Sequence, residues 1–398
     1  MAKNISSLEN CYGCGVCVSA CPVKIISLDK SKDGFYIPVI REQARCIDCG
    51  LCLRICAFNH DEIASQSTDI LSTAVWSNDD EVRSSCSSGG IGFEIGRKLL
   101  ADGYSAVGVR YNADSERAEH YIADSVDEFR ASRGSKYIPS FTADALIKID
   151  LKKKYLVTGT PCQIDSFRRL IKLRKVEDNF ILLDFFCHGV PSLLLWDKYI
   201  AETKTKIGSI RDVNWRDKQT GWHDSWAMRI VGQAEGDGAG SSACRKEDEH
   251  ISRMSQGDLF YDFFLGNYCL NHCCYKSCKY KMTSSSADIR IGDFWGKSYA
   301  SNKEGVSVAL AFTDRGKRLL NDLKDSCHFE PQPLGVCCEG QMARAPKMPF
   351  IRNHLLEQLR SSRSLRQIRS GLIAAYRLTF LHKRIAYRIK KLMERGSN

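Results

Sequence analysis

Cys11, Cys14, Cys17 and Cys21 are spaced C-x2-C-x2-C-x3-C with Pro22 behind them, and Cys46, Cys49, Cys52 and Cys56 repeat that spacing 35 residues later. Thiols in this pattern do iron chemistry. Three thiolates two residues apart wrap three corners of a cubane, and the fourth, carried past the loop, points at the other cluster. By that rule Cys11, Cys14, Cys17 and Cys56 hold one 4Fe–4S cluster, and Cys46, Cys49, Cys52 and Cys21 the other. A tetrahedral zinc takes two separated pairs of ligands, so a three-thiol run offers one ligand too many at one end. The segments CYGCGVCVSACPV and CIDCGLCLRICAF read as two halves of a small ferredoxin-like module related by pseudo-symmetry. Ala57 stands where the first half has Pro22, and proline supplies no ligand.

Five further stretches carry residue types suited to ligands. Ser84 to Gly90 (SSCSSGG) is a loop of small residues before a helix, where backbone N–H groups and the positive end of the helix dipole suit a phosphate; an ordinary capped turn would look the same. GTPCQ (159–163) and CHGVP (187–191) each place a cysteine just past a buried strand, where open α/β sheets put their ligands. CLNHCCYKSC (269–278) holds four cysteines in ten residues, denser than apolar packing of free thiols requires. DIRIGDFWG (288–296) is a short strand running into an aromatic, glycine-flanked turn.

The elements that must position these residues follow from periodicity. Strands are expected at 71–77, 104–111, 120–123, 155–159, 180–187 and 306–313. Helices are expected at 91–103, 162–173, after Pro191 and from Asp314. Residues 60–70 are polar and unpatterned, a linker, and 232–250 read as a Gly-, Ser- and charge-rich surface insertion. The fold class is α+β / α/β: a small dicluster module (1–60), a mixed α/β flavin-binding body (71–345) and a basic helical tail (346–398). At 398 residues with 43% hydrophobic and 26% charged residues, the chain is an ordinary globular protein of two to three domains. No apolar run is long enough to span a membrane. Nineteen cysteines without an apolar leader point to a reducing cytoplasm poor in oxygen. The net charge of +11 is concentrated: from Lys347 to Arg395 there are 13 Lys/Arg against Glu357 and Glu394. Leu381, Ile385, Ile389 and Leu392 form one apolar line there, a basic amphipathic helix suited to an anionic membrane surface or an acidic partner. A nucleic-acid role is argued against by the lack of base-stacking aromatics in a basic groove.

The order of the dicluster module, SSGGIG, GSKY (134–137), GTPCQ, CHGVP, RDKQTGW (216–222), the Cys269–Cys278 run and IGDFWG resembles the coenzyme F420 hydrogenase/dehydrogenase beta-subunit family over about residues 8–325. The resemblance implies an iron–sulfur flavoprotein that binds FAD and passes electrons between clusters and a deazaflavin or another small organic molecule. It implies FAD contacts at Ser87, Ser88, Gly89, Gly90, Lys136, Tyr137, Thr160 and Gln163, with Lys136 and His188 as candidate catalytic residues. A third cluster is expected beside the flavin on Cys162, Cys187, Cys274 and Cys278, with Cys269 or Cys273 as substitutes. The Cys274-to-Cys278 spacing is one residue longer than the relatives' common form, and the chain beyond Ile351 lies outside the resemblance. A flavin is the natural converter between one-electron clusters and a two-electron substrate. A ferredoxin-like protein is the expected donor or acceptor. The alternative function is an electron-relay subunit that delivers electrons to a partner enzyme and has no substrate of its own.

Overall fold

The structure, a computed structural model, describes residues 4–233 and 247–380. The basic line from Leu381 to Leu392 and most of the proposed insertion therefore lie outside the described residues.

Among the described residues fourteen strands run in chain order: β1 (Ile26–Lys30), β2 (Tyr36–Ile40), β3 (Leu71–Ser77), β4 (Ser105–Asn112), β5 (Arg117–Ala123), β6 (Ser140–Phe141), β7 (Tyr155–Thr158), β8 (Phe180–Phe185), β9 (Ser209–Asn214), β10 (Ala227–Gln233), β11 (Glu247–Arg253), β12 (Ile289–Asp293), β13 (Ser307–Ala311) and β14 (Cys327–Pro331). Nine of them form one mixed sheet in the order β14-β3-β13-β12-β8-β7-β4-β5-β6. Its centre, β12-β8-β7-β4, is parallel, and antiparallel partners flank it on both sides. Parallel strands are buried on both faces, which is why Leu156, Leu182 and Ile289 are fully buried and the charged Asp184 and Arg290 among them are buried as an ion pair. A parallel block also gathers its strand ends on one edge, so Thr158, Phe185 and Asp293 all open toward the same side.

Helices cover the faces. Pro161–Arg174 follows β7, with Pro161 at its first turn and a capping box between Thr160 and Gln163. Leu193–Ile207 follows β8 and is capped by Ser192, whose hydroxyl accepts from the Leu194 N–H at 3.1 Å. The sequence reading of 232–250 as a featureless insertion is corrected at both ends. Ala227–Gln233 and Glu247–Arg253 pair as antiparallel strands of a second, three-stranded sheet with β9. The stretch read as a linker is pinned: the Ala64 N–H donates to Asp165 at 2.6 Å and the Ser65 N–H to Ser286 at 3.1 Å.

The dicluster module, with β1 and β2 as its hairpin, sits on the body. Thr142 donates to the Cys14 carbonyl at 3.1 Å, Asn271 to the Cys11 carbonyl at 3.2 Å, and Ser192 to the Asp33 carbonyl at 2.6 Å. The first helix of the C-terminal region, Arg352–Arg360, buries Leu355, Leu356 and Leu359 in the same core as the module. The basic side chains of this region are partly neutralised by the module through an Arg360–Asp33 ion pair and by the body through Arg369–Asp262 and Arg377–Asp262. No helix of the described residues is long and apolar enough to cross a membrane.

Candidate functional site

The loops that present the eight N-terminal thiols are built by left-handed backbone. Gly13 and Gly15 have φ of 73° and 72°, and at the matching positions of the second loop Asp48 and Gly50 have φ of 48° and 65°. Such residues curl the chain so that thiols two residues apart converge instead of alternating. The short helices Val16–Ala20 and Leu51–Arg54 then carry Cys21 and Cys56 away from their own loops. Each arrives beside the opposite loop. Burial raises the Cys17 thiol, and Cys14, Cys11 and Cys56 act on it in the same direction. Cys21 lines a small cavity together with Cys46, Cys49 and Cys52. Polar support is also in place: the Gly13 N–H donates to Cys11 Sγ at 3.2 Å, and Asn4 Nδ2 lies 3.4 Å from Cys46 Sγ. Among the described residues no three His, Cys, Asp or Glu side chains are drawn together closely enough to hold a single metal ion.

A second group of thiols forms where the module meets the sheet. Burial raises Cys162, with Cys187, Cys14 and Cys274 adding to the shift; burial raises Cys274, with Cys187 and Cys278 adding to it. The four residues expected for a third cluster are thus neighbours, and one of them also faces the inner thiols of the module. Cys269 is set apart, completely buried beside the Ser192 backbone, whereas Cys273 lies 3.5 Å from the Cys11 carbonyl. Tyr12 stands between the two thiol groups: burial raises its hydroxyl, followed by the influence of Cys162, Cys278, Cys273 and Cys274.

Beyond these thiols, the strand ends open into a cavity of about 470 Å³. Ser87, Ser88, Gly90, Lys136, Tyr137, Thr160, Gln163 and His188 all line it, as do Tyr12, Gly13, Phe35 and Tyr36 from the module. Gly89 does not. A Cβ there would stand 2.4 Å from the Val75 carbonyl and 2.8 Å from the Ser307 nitrogen, so this glycine is required by the close packing of its loop on β3 and β13. The loop itself has the features of an anion cradle. Gly90, at φ 91°, starts the eleven-residue helix Ile91–Ala101 with no side-chain cap, leaving N–H groups for a ligand. Arg133, Lys218 and Lys136 surround the adjacent Cys86, whose thiol burial raises to about 11 against their opposing charge. Arg133 stacks on Phe93 at 4.0 Å and its Nε is a buried donor with no partner among the described residues.

The remaining expected residues have more local duties. The Lys136 ammonium donates to the carbonyls of Ala131, Arg133 and Gly134 at 2.7–3.1 Å, and burial lowers it to about 8. It fixes the turn that brings Ser135 to Ser87, whose hydroxyl accepts the Ser135 N–H at 2.8 Å. Gln163 accepts from the Thr160 N–H at 2.7 Å, so these two line the cavity as the cap of their own helix. His188 packs against Phe264, and burial lowers it to about 4, which keeps it neutral.

Sequence reasoning assigned no role to Arg216 or Asp293, although both lie in motifs that it singled out. Arg216 is fully buried and binds both Asp293 oxygens, at 2.9 and 3.2 Å. It also donates to Tyr137 Oη at 3.1 Å and lies over Trp226 and Trp295 at 4.8 and 5.2 Å. Trp222 Nε1 donates to Asp293 at 2.9 Å. This pair joins RDKQTGW to IGDFWG and aims Tyr137 at the cavity. Removing one partner would strand the other charge in a dry interior, at about 3–5 kcal/mol.

Two models of one family, the coenzyme F420 hydrogenase/dehydrogenase beta subunit, match the chain: the model of its N-terminal part over residues 72–147 and that of its C-terminal part over residues 152–335. Residues 10–60 match the 4Fe-4S dicluster domain. Among solved structures, a chain of the F420-reducing [NiFe] hydrogenase complex from Methanosarcina barkeri is similar at 14% identity, over 75% of this chain and 91% of that one, with a TM-score of 0.44. A likeness that distant carries no assignment. No curated protein matches the chain.

Proposed function

The chain belongs to the coenzyme F420 hydrogenase/dehydrogenase beta-subunit family and carries a 4Fe-4S dicluster domain, and from that premise we propose that it is an iron–sulfur flavoprotein oxidoreductase acting on a small organic molecule. One observation carries the reading: the inner thiol loop of the dicluster module and the anion cradle line one and the same cavity. Clusters on these thiols would move single electrons, and FAD in the cavity would pair them for a two-electron substrate.

The residues present suit that cofactor. The Cys86–Gly90 loop with Arg133 offers donors to a diphosphate, while Tyr137, Trp226, Phe35 and Tyr36 offer aromatic surface for rings. The exposed outer loop, with Cys49 at the surface and Ile47 62% exposed, is where a ferredoxin-like donor would dock. Cys162, Cys187, Cys274 and Cys278, neighbours where the module meets the sheet, would be the ligand set of a third cluster.

The test is the composition and reduction of full-length chain purified without oxygen. The expected result is about twelve iron atoms, from three cubanes, one non-covalent FAD, and bleaching of that flavin by reduced ferredoxin. Stoichiometric zinc with little iron, or a chain that binds no flavin, would overturn the reading. A flavin that is bleached while every small acceptor, deazaflavin included, stays oxidised until a partner enzyme is added would replace it with the relay function.

A further inference from the structure

His120 opens the short strand segment HYIA, it is 5% exposed, and it lines the cavity. Its Nε2 lies 3.2 Å from the Thr158 carbonyl oxygen at the end of β7. A carbonyl can only accept, so Nε2 carries the proton and Nδ1 is a bare lone pair. That Nδ1 is buried and has no hydrogen-bond partner among the described residues. Native interiors leave few such atoms unmatched, and the ring that carries this one lines the cavity. Burial also lowers His120 to about 4, so the ring stays neutral and cannot attract an anion.

His120 and Arg133 divide the cavity by chemistry. Arg133, whose guanidinium pairs with Glu81 at 2.5 Å, keeps an unmatched Nε donor beside the Cys86–Gly90 loop. His120 presents an unmatched neutral acceptor at the β7 strand end, where a phosphate or carboxylate would meet a lone pair. A ligand that satisfies both is anionic at one end and carries O–H or N–H groups at the other.

We propose that His120 is a positioning residue that accepts, at Nδ1, a hydrogen bond from an O–H or N–H group in the flavin half of bound FAD. The proposal rests on the flavin reading above, and it adds which atom of this chain holds the half of the cofactor that lacks the adenosine.

Two substitutions separate this role from a purely structural one. In His120→Gln the amide nitrogen can still reach the Thr158 carbonyl while the Nδ1 acceptor is lost. In His120→Asn the side-chain oxygen replaces Nδ1 as acceptor while the tie to Thr158 is lost. Flavin retention and FAD dissociation constants are measured on full-length chain prepared without oxygen, with iron content as the control for folding. The expected result is roughly tenfold weaker FAD binding in His120→Gln, the size of one lost hydrogen bond in a dry site, and a change of less than about threefold in His120→Asn. Riboflavin competition should weaken in His120→Gln, and ADP competition should not change. A Gln variant that binds FAD like wild type, an Asn variant that weakens FAD binding as much as His120→Gln does, or an equal loss of ADP affinity would overturn the proposal. Wild-type chain that binds no FAD would instead sink the flavin reading itself, so the two failures are distinguishable.

Discussion

The two thiol loops have the same spacing and opposite surroundings. In the inner loop Cys14 and Cys17 are 6% and 5% exposed, and Ser166 of the body lies 3.4 Å from Cys14 Sγ while also accepting the Ala57 N–H at 3.0 Å. In the outer loop Cys49 is exposed and its neighbours Ile47 and Asp48 face solvent. Spacing alone thus determines which metal centre is built, and packing determines what that centre exchanges electrons with. The inner loop faces the cavity and the outer loop faces solvent.

Replacing one cysteine in each loop gives the largest test of this contrast. Cys14→Ser and Cys49→Ser should each remove about four iron atoms. Cys14→Ser should also halt electron delivery to the flavin from every protein donor and loosen the module from the body. Cys49→Ser should retain the flavin and its turnover with an artificial dye. Equal loss of flavin in the two variants, by absorbance of the purified proteins, would break the comparison.

The glycine positions sharpen it. A Cβ at Gly13 would stand 2.7 Å from the Tyr36 carbonyl, and one at Gly15 2.0 Å from Thr142 Oγ1. The outer loop already has Asp48 where the inner has Gly13. Gly13→Asp should therefore cost several kcal/mol and strip the inner cluster. Asp48→Gly, which relieves a left-handed side chain, should leave stability within about 1 kcal/mol. Thermal unfolding with iron counts measures both.

Acid should separate the two regions as well. His120 and His188 are held near pKa 4 by burial, below the ordinary 6.5. The unfolded chain therefore binds more protons between those values, so the stability contributed by keeping His120 neutral is full above pH 6.5 and lost as pH falls toward 4. For His120 that loss is up to about 3 kcal/mol. Flavin should leave over this range, and in His120→Asn the acid limb should flatten, as read by flavin fluorescence against pH.

The smallest expected effect is at the outer tip. Ile47→Glu should change neither iron nor flavin content, and should slow reduction by ferredoxin several-fold, the equivalent of about 1 kcal/mol of docking energy. A rate equal to wild type would place the docking surface elsewhere.

Much of this arrangement was legible in the chain itself. The eight module cysteines, the crossover of Cys21 and Cys56, the strands β3, β4, β7, β8 and β13, and the loops that line the cavity all follow from local spacing and apolar period. What escaped was what depends on contacts between distant residues. Arg216 meets Asp293 across 77 positions and Cys14 meets Ser166 across 152, and no periodicity reports such pairings. Gly89 was read as approaching a phosphate because a small residue in a loop looks the same whether a ligand or a neighbouring strand comes close. His120 looked like one polar residue in a short strand, and only the Thr158 carbonyl beside it reveals which of its nitrogens is free. The pairing of β10 with β11 was missed because Glu247, Asp248 and Glu249 are consecutive charges, which erases the period of two that marks a strand.

The aromatic setting of Arg216 has a use unrelated to stability. Trp226 and Trp295 both line the cavity, and Trp222 stacks on Trp295 at 5.5 Å between ring centres. Half of the chain's six tryptophans are therefore gathered at one wall of the cavity. Indole emission overlaps the absorption of an oxidised flavin and much less that of a reduced one. The intrinsic fluorescence of the protein is thus a gauge of cavity occupancy and of the oxidation state of what fills it, available without any label.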